Sequence, residues 1–215
     1  MTLEIDPDAV LWNTPTDERE GRPLLVVMHG RGSNEADLFA LAEELPAEYV
    51  IASVRALIPE GGGWSWWAAG GANVSGDPDP ENVDAAAAAV LTWLDAQPFT
   101  PSMVGTLGFS QGGVMSVHLL RRQPARIAFA VNIAGYLVRG EQASDALLEA
   151  RRPPVFWGLG AADGLFTPEV IARTQPWLDE HTTLEAHVYD GLGHTISRDE
   201  LNDVVAFLRA RLETN

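Results

Sequence analysis

Cysteine and lysine are both absent from this 215-residue chain. Without cysteine there are no disulfides, no thiolate metal ligands and no cysteine nucleophile. Without lysine there is no lysine Schiff base and no phosphate-loop lysine. The fourteen basic residues are therefore all arginine, a bias that fits either a GC-rich coding genome or adaptation to high salt.

Long apolar runs and a basic leader are also absent. No run reaches the roughly 18 apolar residues of a membrane span, and the N-terminus has no basic region before an apolar one. These absences predict a cytoplasmic protein. Fourteen basic against 30 acidic residues give a net charge of −16, which repels nucleic acid and anionic membranes. We expect neither nucleic-acid binding nor stable membrane association, and the oligomeric state stays open, a homodimer included.

Short apolar runs of strand length alternate with segments of helical spacing. They fall at residues 23–28, 49–54, 103–109, 127–133 and 154–159. Such continuous runs are typical of strands buried on both faces of a parallel sheet. The pattern predicts one α/β domain over residues 1–215, with a mostly parallel sheet, helices on both faces and no large cap domain. The polar residues 1–22 predict an N-terminal arm or an edge strand.

The central motif is Gly108-Phe109-Ser110-Gln111-Gly112, which joins an apolar run to a segment of helical spacing. A strand, Gly-x-Ser-x-Gly and a helix in that order form a nucleophile elbow, where a strained turn presents the serine. Glycines on either side remove side chains that would collide. Ser110 is therefore the candidate nucleophile, with an ordinary strand-to-helix turn as the alternative.

A serine hydroxyl needs a base within hydrogen-bond reach and a third group that orients the base. Asp163 and His194 each follow the end of a predicted strand, at the sheet edge where α/β proteins place their sites. The chain order serine, aspartate, histidine is that of α/β hydrolases. The sequence therefore predicts Ser110, Asp163 and His194 as a catalytic triad.

Other acids and histidines fit the triad less well. Asp190 is the alternative acid, but it lies in the same loop as the candidate base. His29 is expected to support the loop after the first buried strand, and His118 to pack within the elbow helix. His181 and His187 are expected at a helix end and on an exposed edge strand.

Acyl transfer also needs donors for the developing oxyanion. One should be the backbone N–H of Gln111, at the start of the elbow helix. The other should be the backbone N–H of Arg31, between the glycines of the loop that follows the first buried strand.

Residues 58–81 contain three consecutive glycines, two Asp-Pro pairs and three tryptophans, and they predict a long loop. Loops of this length are usually functional or disordered. We predict that Trp64, Trp66 and Trp67 bind substrate, and a buried structural cluster is an equally weighted alternative.

Four motifs together resemble the carboxylesterase/phospholipase family of small α/β hydrolases, which includes the acyl-protein thioesterases. They are His29-Gly30-Arg31-Gly32, Gly108-Phe109-Ser110-Gln111-Gly112-Gly113, Asp163 and Gly193-His194-Thr195-Ile196-Ser197. The resemblance covers nearly the whole chain from Pro23 onward. It implies the α/β-hydrolase fold, the triad named above and an oxyanion hole formed by Arg31 and Gln111.

The chain also departs from the thioesterase branch of that family. Arg31 stands where that branch commonly has an apolar residue, and Trp64-Ser65-Trp66-Trp67 is not a pattern associated with it. The expected function is a serine carboxylesterase that cleaves small to medium carboxylic esters through an acyl-enzyme on Ser110, with no metal and no cofactor. The alternatives are an acyl-protein thioesterase or lysophospholipase acting on longer acyl chains, and a non-catalytic ligand-binding protein on the same fold.

Overall fold

The computed structural model describes residues 3–68, 70 and 76–213. The strands and α-helices follow in chain order: β1 (Leu11–Trp12), β2 (Leu24–Met28), α1 (Ala36–Phe39), β3 (Val50–Val54), β4 (Ile58–Glu60), β5 (Gly63–Ser65), α2 (Pro80–Asp95), β6 (Val104–Phe109), α3 (Gln111–Arg122), β7 (Ile127–Ile133), α4 (Asp145–Arg151), β8 (Pro154–Gly160), α5 (Pro168–His181), β9 (Thr183–Tyr189) and α6 (Arg198–Glu213).

Seven of the strands form one sheet, in the order β1-β3-β2-β6-β7-β8-β9. Every neighbouring pair is parallel except the edge strand β1, which runs antiparallel to β3. All five residues of β2 and all five of β3 are buried, as their continuous apolar runs indicate. The predicted mostly parallel α/β sheet without a large cap domain is confirmed.

Two helices begin as their sequences predict. The Asp79 carboxylate accepts the Glu81 backbone N–H before α2, and the Thr167 hydroxyl accepts the Val170 N–H before α5. Both helices have proline in the first turn. Backbone N–H groups in that turn have no partner within the helix, so proline costs no hydrogen bond there. No helix in the described part of the chain is both long and apolar enough to span a bilayer.

Apolar residues at helical spacing from Leu38 to Leu45 predict a helix after Asn34 that ends at Pro46. The observed helix is shorter: only Ala36–Phe39 is α-helical, and the chain then continues as turns closed by hydrogen bonds over three residues. Leu38 in α1 and Leu45 beyond it are both buried. Leu45 is thus buried without the continuous helix that the pattern predicts.

The burial of the edge strand β9 departs in part from its sequence pattern, whose alternation predicts residues 184, 186 and 188 on the covered face. Leu184 packs against the core as predicted, but Val188 is 62% exposed. On the other face the His187 ring stacks on Phe156, with 5.2 Å between centroids, and the Tyr189 hydroxyl donates to Asp203. His187 thus lies on the predicted edge strand and is partly solvated, with 34% of its side chain exposed.

The long loop predicted over residues 58–81 begins as a hairpin. Strands β4 and β5 pair antiparallel, with Ile58 opposite Ser65. Gly61 and Gly62 both have positive φ, at 61° and 90°, which glycine adopts readily in a tight hairpin turn. A loop prediction is thus wrong for this part, while residues 69 and 71–75 of the predicted loop lie outside the described residues.

The start of α6 contains a buried carboxyl group. The sequence Ser197-Arg198-Asp199-Glu200 predicts a capping box, and one half of it forms: the Glu200 backbone N–H donates to the Ser197 hydroxyl at 3.1 Å. The Glu200 side chain instead points towards Gly158 in β8, where a Cβ atom would lie 2.3 Å from Oε1. Neither carboxyl oxygen has a hydrogen-bond partner among the described residues. Burial raises the pKa of Glu200 to about 7, against the opposing pull of the Ser197 backbone N–H.

This raised pKa predicts a specific pH dependence of stability. The folded chain holds the Glu200 proton more tightly than the unfolded chain, whose carboxyl has its ordinary pKa of 4.5. The resulting stabilisation is complete below pH 4.5 and is lost as the pH rises through 7. The total is about 3 kcal/mol at about 1.4 kcal/mol per pH unit.

Urea unfolding of wild type and Glu200→Gln between pH 5 and pH 8 checks this expectation. The free energy of unfolding should fall less steeply with pH in Glu200→Gln, because the amide does not ionise. Glu149→Gln, at an exposed position in α4, is the matched control and should keep the wild-type slope. Equal slopes for all three proteins would contradict the buried, proton-binding role of Glu200.

Candidate active site

Ser110 lies at the sharp turn between β6 and α3, in a backbone conformation that side chains rarely adopt. Its φ is 56° and its ψ is −118°. Its backbone N–H donates to the Ile133 carbonyl at 2.9 Å, which attaches the turn to the end of β7. Strain of this kind persists only where the surrounding structure fixes the backbone, and it is frequent at active sites.

Two glycines allow the turn to form. A Cβ on Gly108 would lie 2.0 Å from the Gly112 carbonyl oxygen, and one on Gly112 would lie 1.9 Å from the Met28 carbonyl oxygen. Neither contact is compatible with a side chain. The first turn of α3 therefore rests directly on the backbone at the ends of β2 and β6, as the motif predicts.

The structure brings Ser110, His194 and Asp163 into one hydrogen-bonded line. His194 Nε2 lies 2.9 Å from Ser110 Oγ, and His194 Nδ1 lies 2.6 Å from Asp163 Oδ2. A carboxylate can only accept, so Nδ1 carries the proton and Nε2 accepts from the serine hydroxyl. The arrangement can withdraw the serine proton during nucleophilic attack.

Asp163 and His194 come from the loops after β8 and β9. The Asp163 side chain is almost fully buried, and its second oxygen accepts the Leu165 backbone N–H at 3.0 Å. The His194 ring is partly exposed and lies 4.8 Å from the Phe109 ring, between centroids. The alternative acid, Asp190, is exposed, and Asp163 occupies the Nδ1 position instead.

The other histidines have structural contacts. Buried His29 donates from Nδ1 to the Gly30 carbonyl at 2.7 Å and accepts the Ala56 N–H at Nε2. His118 is buried against Asp84 at 2.7 Å, and His181 stacks on Trp177 at the end of α5. His29 thus supports the loop after β2, as the sequence predicts.

Both predicted oxyanion donors line the same cleft as Ser110 and His194. Within residues 3–68, 70 and 76–213, neither the Arg31 nor the Gln111 backbone N–H donates to a protein acceptor. Both N–H groups are therefore free to bind an external oxygen. The Gln111 donor also stands at the start of α3, where the helix dipole favours negative charge.

A network around Glu60 holds the loop that contains Arg31. The Arg31 guanidinium binds both oxygens of Glu60, and the Ser65 hydroxyl donates to Glu60 at 2.6 Å. The Gly32 backbone N–H reaches the same Ser65 oxygen at 3.1 Å. Arg31 and Ser65 together lower the pKa of Glu60 to about 2.

Glu60, Ser65 and the side chain of Gln111 were not predicted as site residues. The one signal in the sequence was the pair Gly61-Gly62, which is typical of a hairpin turn and would place Glu60 opposite Gly63, two residues before Ser65. The Gln111 amide binds the segment that follows β5: its oxygen accepts the Trp66 N–H at 3.0 Å and its nitrogen donates to the Trp67 carbonyl at 3.1 Å.

The three tryptophans lie in different environments. Trp67 lines the cleft, as predicted. Trp66 is fully buried beneath it and donates from Nε1 to the His29 carbonyl at 2.9 Å, while Trp64 lies beside the Arg55 guanidinium, outside the cleft lining. The structure therefore brings one of the three to the predicted substrate site.

The cleft beside Ser110 has a volume of about 740 Å³ and a mixed lining. Its polar lining residues include Arg31, Glu60 and Asp37, and its apolar lining residues are Trp67, Phe109, Tyr136 and Leu165. No grouping of three or more histidine, aspartate or glutamate side chains suited to a metal ion occurs among the described residues.

Comparisons with known proteins identify chains that are similar to this one. A family model described as Phospholipase/Carboxylesterase matches residues 14–212. A probable carboxylesterase of Oryza sativa subsp. japonica is 29% identical over 117 residues, covering 54% of this chain and 44% of that protein. Acyl-protein thioesterase 1 of Kluyveromyces lactis is 22% identical over 210 residues, covering 88% of this chain and 92% of that protein.

The carboxylesterase relatives are matched over about half of their length, from 44% to 56%. Among solved structures, the Bacillus cereus carboxylesterase aligns with a TM-score of 0.78 at 21% identity, covering 94% of this chain and 93% of that one. At that identity the likeness establishes a shared fold.

Proposed function

We propose that this chain, which belongs to the phospholipase/carboxylesterase family, hydrolyses carboxylic esters through an acyl-enzyme on Ser110. The family membership confirms the resemblance drawn from the four sequence motifs. The observation that carries the proposal is the line from Ser110 Oγ through His194 to Asp163, with distances of 2.9 and 2.6 Å.

The first half-reaction transfers the acyl group to the enzyme. His194 Nε2 accepts the Ser110 proton as Oγ attacks the ester carbonyl carbon, and Asp163 stabilises the resulting imidazolium. The tetrahedral intermediate then collapses, the bond to the alcohol oxygen breaks, and His194 protonates the departing alcohol. Ser110 is left as an ester of the substrate acid.

The second half-reaction restores the serine. His194 accepts a proton from water, whose oxygen attacks the acyl carbon, and the proton returns to Ser110 Oγ as the carboxylic acid leaves. In both halves the negative charge develops on the former carbonyl oxygen. In this proposal the Arg31 and Gln111 backbone N–H groups stabilise that charge, a contribution of roughly 2.7–4 kcal/mol for one such donor in other hydrolases.

The mixed lining of the cleft supports a small or medium ester with aromatic or apolar character. Trp67, Phe109, Tyr136 and Leu165 give such a group apolar contacts. A long acyl chain would need a more extensive apolar lining, and the Arg31–Glu60 ion pair lines the same cleft. Burying that pair under a hydrocarbon chain would carry a desolvation penalty.

Labelling by a serine-directed fluorophosphonate checks the nucleophile. Wild type should be labelled and Ser110→Ala should not, because the reagent bonds to the activated hydroxyl. Ser102→Ala, at an exposed position before β6, should be labelled like wild type. Unlabelled wild type, or labelled Ser110→Ala, would contradict the assignment.

The two candidate acids are separated by matched substitutions. Asp163→Asn should lower kcat on p-nitrophenyl butyrate by about 10⁴-fold, because the asparagine can stabilise the wrong imidazole tautomer and carries no charge. Asp190→Asn should stay close to wild type, since Asp190 is exposed and Asp163 already occupies the Nδ1 position. A larger loss in Asp190→Asn than in Asp163→Asn would reverse the assignment.

A series of p-nitrophenyl esters measures the acyl preference. We expect kcat/KM to be highest for acetate, butyrate or benzoate and to fall from octanoate to palmitate, because a long chain would also have to cover the Arg31–Glu60 ion pair that lines the cleft. A rise toward palmitate would favour the thioesterase or lysophospholipase alternative. Tight binding of these esters without turnover would favour a non-catalytic binding protein.

A further inference from the structure

We propose that Glu60 is a positioning residue for the oxyanion hole, one that holds the Arg31 backbone N–H towards Ser110 without touching the substrate. This inference rests on the proposed esterase function. It assigns a role to the β4–β5 hairpin, whose end carries Glu60 beside the cleft.

Glu60 connects the Arg31 side chain to the backbone of the next residue, Gly32. On one side its carboxylate binds the Arg31 guanidinium through both Nε and a terminal nitrogen. On the other side it accepts the Ser65 hydroxyl, whose oxygen accepts the Gly32 backbone N–H. The chain of contacts runs from the Arg31 side chain through Glu60 and Ser65 back to the neighbouring backbone, so Arg31 has little freedom to rotate.

The loop itself needs such a restraint. Gly30 and Gly32 flank Arg31, and Gly32 has a φ of 73° that only glycine adopts easily. The backbone bonds to β5 connect Gly32 to Trp64 and Trp64 to Ser33, which lie after Arg31 in the chain. Arg31 itself is attached to the hairpin through its side chain, because its guanidinium donates to the Glu60 carboxylate.

The other oxyanion donor is attached to the same segment. The Gln111 amide binds the backbone of Trp66 and Trp67, which directly follow β5. The hairpin also approaches the loop very closely, since a Cβ on Gly63 would lie 2.1 Å from the Gly32 carbonyl oxygen. Residues 60–67 therefore set the position of both donors, and preorganised donors are what makes such a site effective.

The role of Glu60 in the site is separable from its contribution to folding. Half of the Arg31 side chain and 27% of the Glu60 side chain are exposed. Ion pairs with this much solvent contact contribute little to stability. Removing the charge should therefore disturb the orientation of the loop and leave the folded state intact.

The test compares Glu60→Gln with Asp95→Asn. Asp95 pairs with Arg126 at 2.7 Å at the end of α2, so its variant also removes one ion pair. In Glu60→Gln we expect kcat on p-nitrophenyl butyrate to fall about tenfold, less than the loss of a whole oxyanion donor. KM and the melting temperature should stay close to those of wild type and of Asp95→Asn, which keeps wild-type kcat.

Two further readouts separate positioning from general damage. A trifluoromethyl ketone that forms a tetrahedral adduct on Ser110 should bind Glu60→Gln more weakly by the same factor as kcat/KM falls. The pH dependence of kcat/KM should be unchanged, because the triad is intact. Arg31→Gln keeps the backbone N–H but loses the ion pair, so it should reproduce the loss and add nothing further in the double variant.

The inference is overturned if Glu60→Gln turns over like Asp95→Asn, or if only its KM changes, since a KM effect alone would mean direct substrate contact. Should Glu60→Gln fold poorly, Ser65→Ala takes its place, because it breaks the link to Gly32 and should lower kcat in the same direction. A wild-type enzyme without Ser110-dependent hydrolysis would overturn the proposed function itself, and this inference with it.

Discussion

The backbone of Ser110 is held in a strained conformation because α3 starts directly against the ends of β2 and β6. Gly112 touches the Met28 carbonyl, Gly108 touches Gly112, and the Ser110 N–H is bonded to β7. Strained residues of this type cost of order 1–3 kcal/mol, which the buried sheet offsets. The same turn sends Oγ towards His194 and places the Gln111 N–H at the start of a helix, so the proposed nucleophile and one proposed oxyanion donor depend on the same turn.

The elbow and the meeting of Ser110, Asp163 and His194 could be predicted because each depends on a short sequence pattern. Apolar runs mark buried strands, glycines mark the turn, and the carboxyl ends of parallel strands meet at one sheet edge, so Asp163 and His194 were expected near Ser110 from position alone. The contact between Arg31 and Glu60 could not be predicted in the same way. Glu60 lies 29 residues further along the chain, and its contact depends on how a hairpin sits against a loop.

Some side-chain contacts could not be predicted for another reason. Trp66, His187 and Glu200 each contact a partner that no sequence period identifies: the carbonyl of His29, the ring of Phe156 and the backbone of Gly158. Hydrophobic alternation and capping patterns describe each segment of the chain alone and carry no information about its contacts with other segments. They give the start of α6 correctly through Ser197, but they do not show that the glutamate of the same motif is buried.

The candidate triad is buried at one end and partly exposed at the other. Only 1% of the Asp163 side chain is exposed, against 32% of the His194 side chain. Under the proposed mechanism, the imidazole that activates the second nucleophile is therefore partly open to solvent. A small alcohol in that solvent would then compete with water for the acyl group on Ser110. The proposed intermediate would partition between acid and new ester according to the composition of the medium.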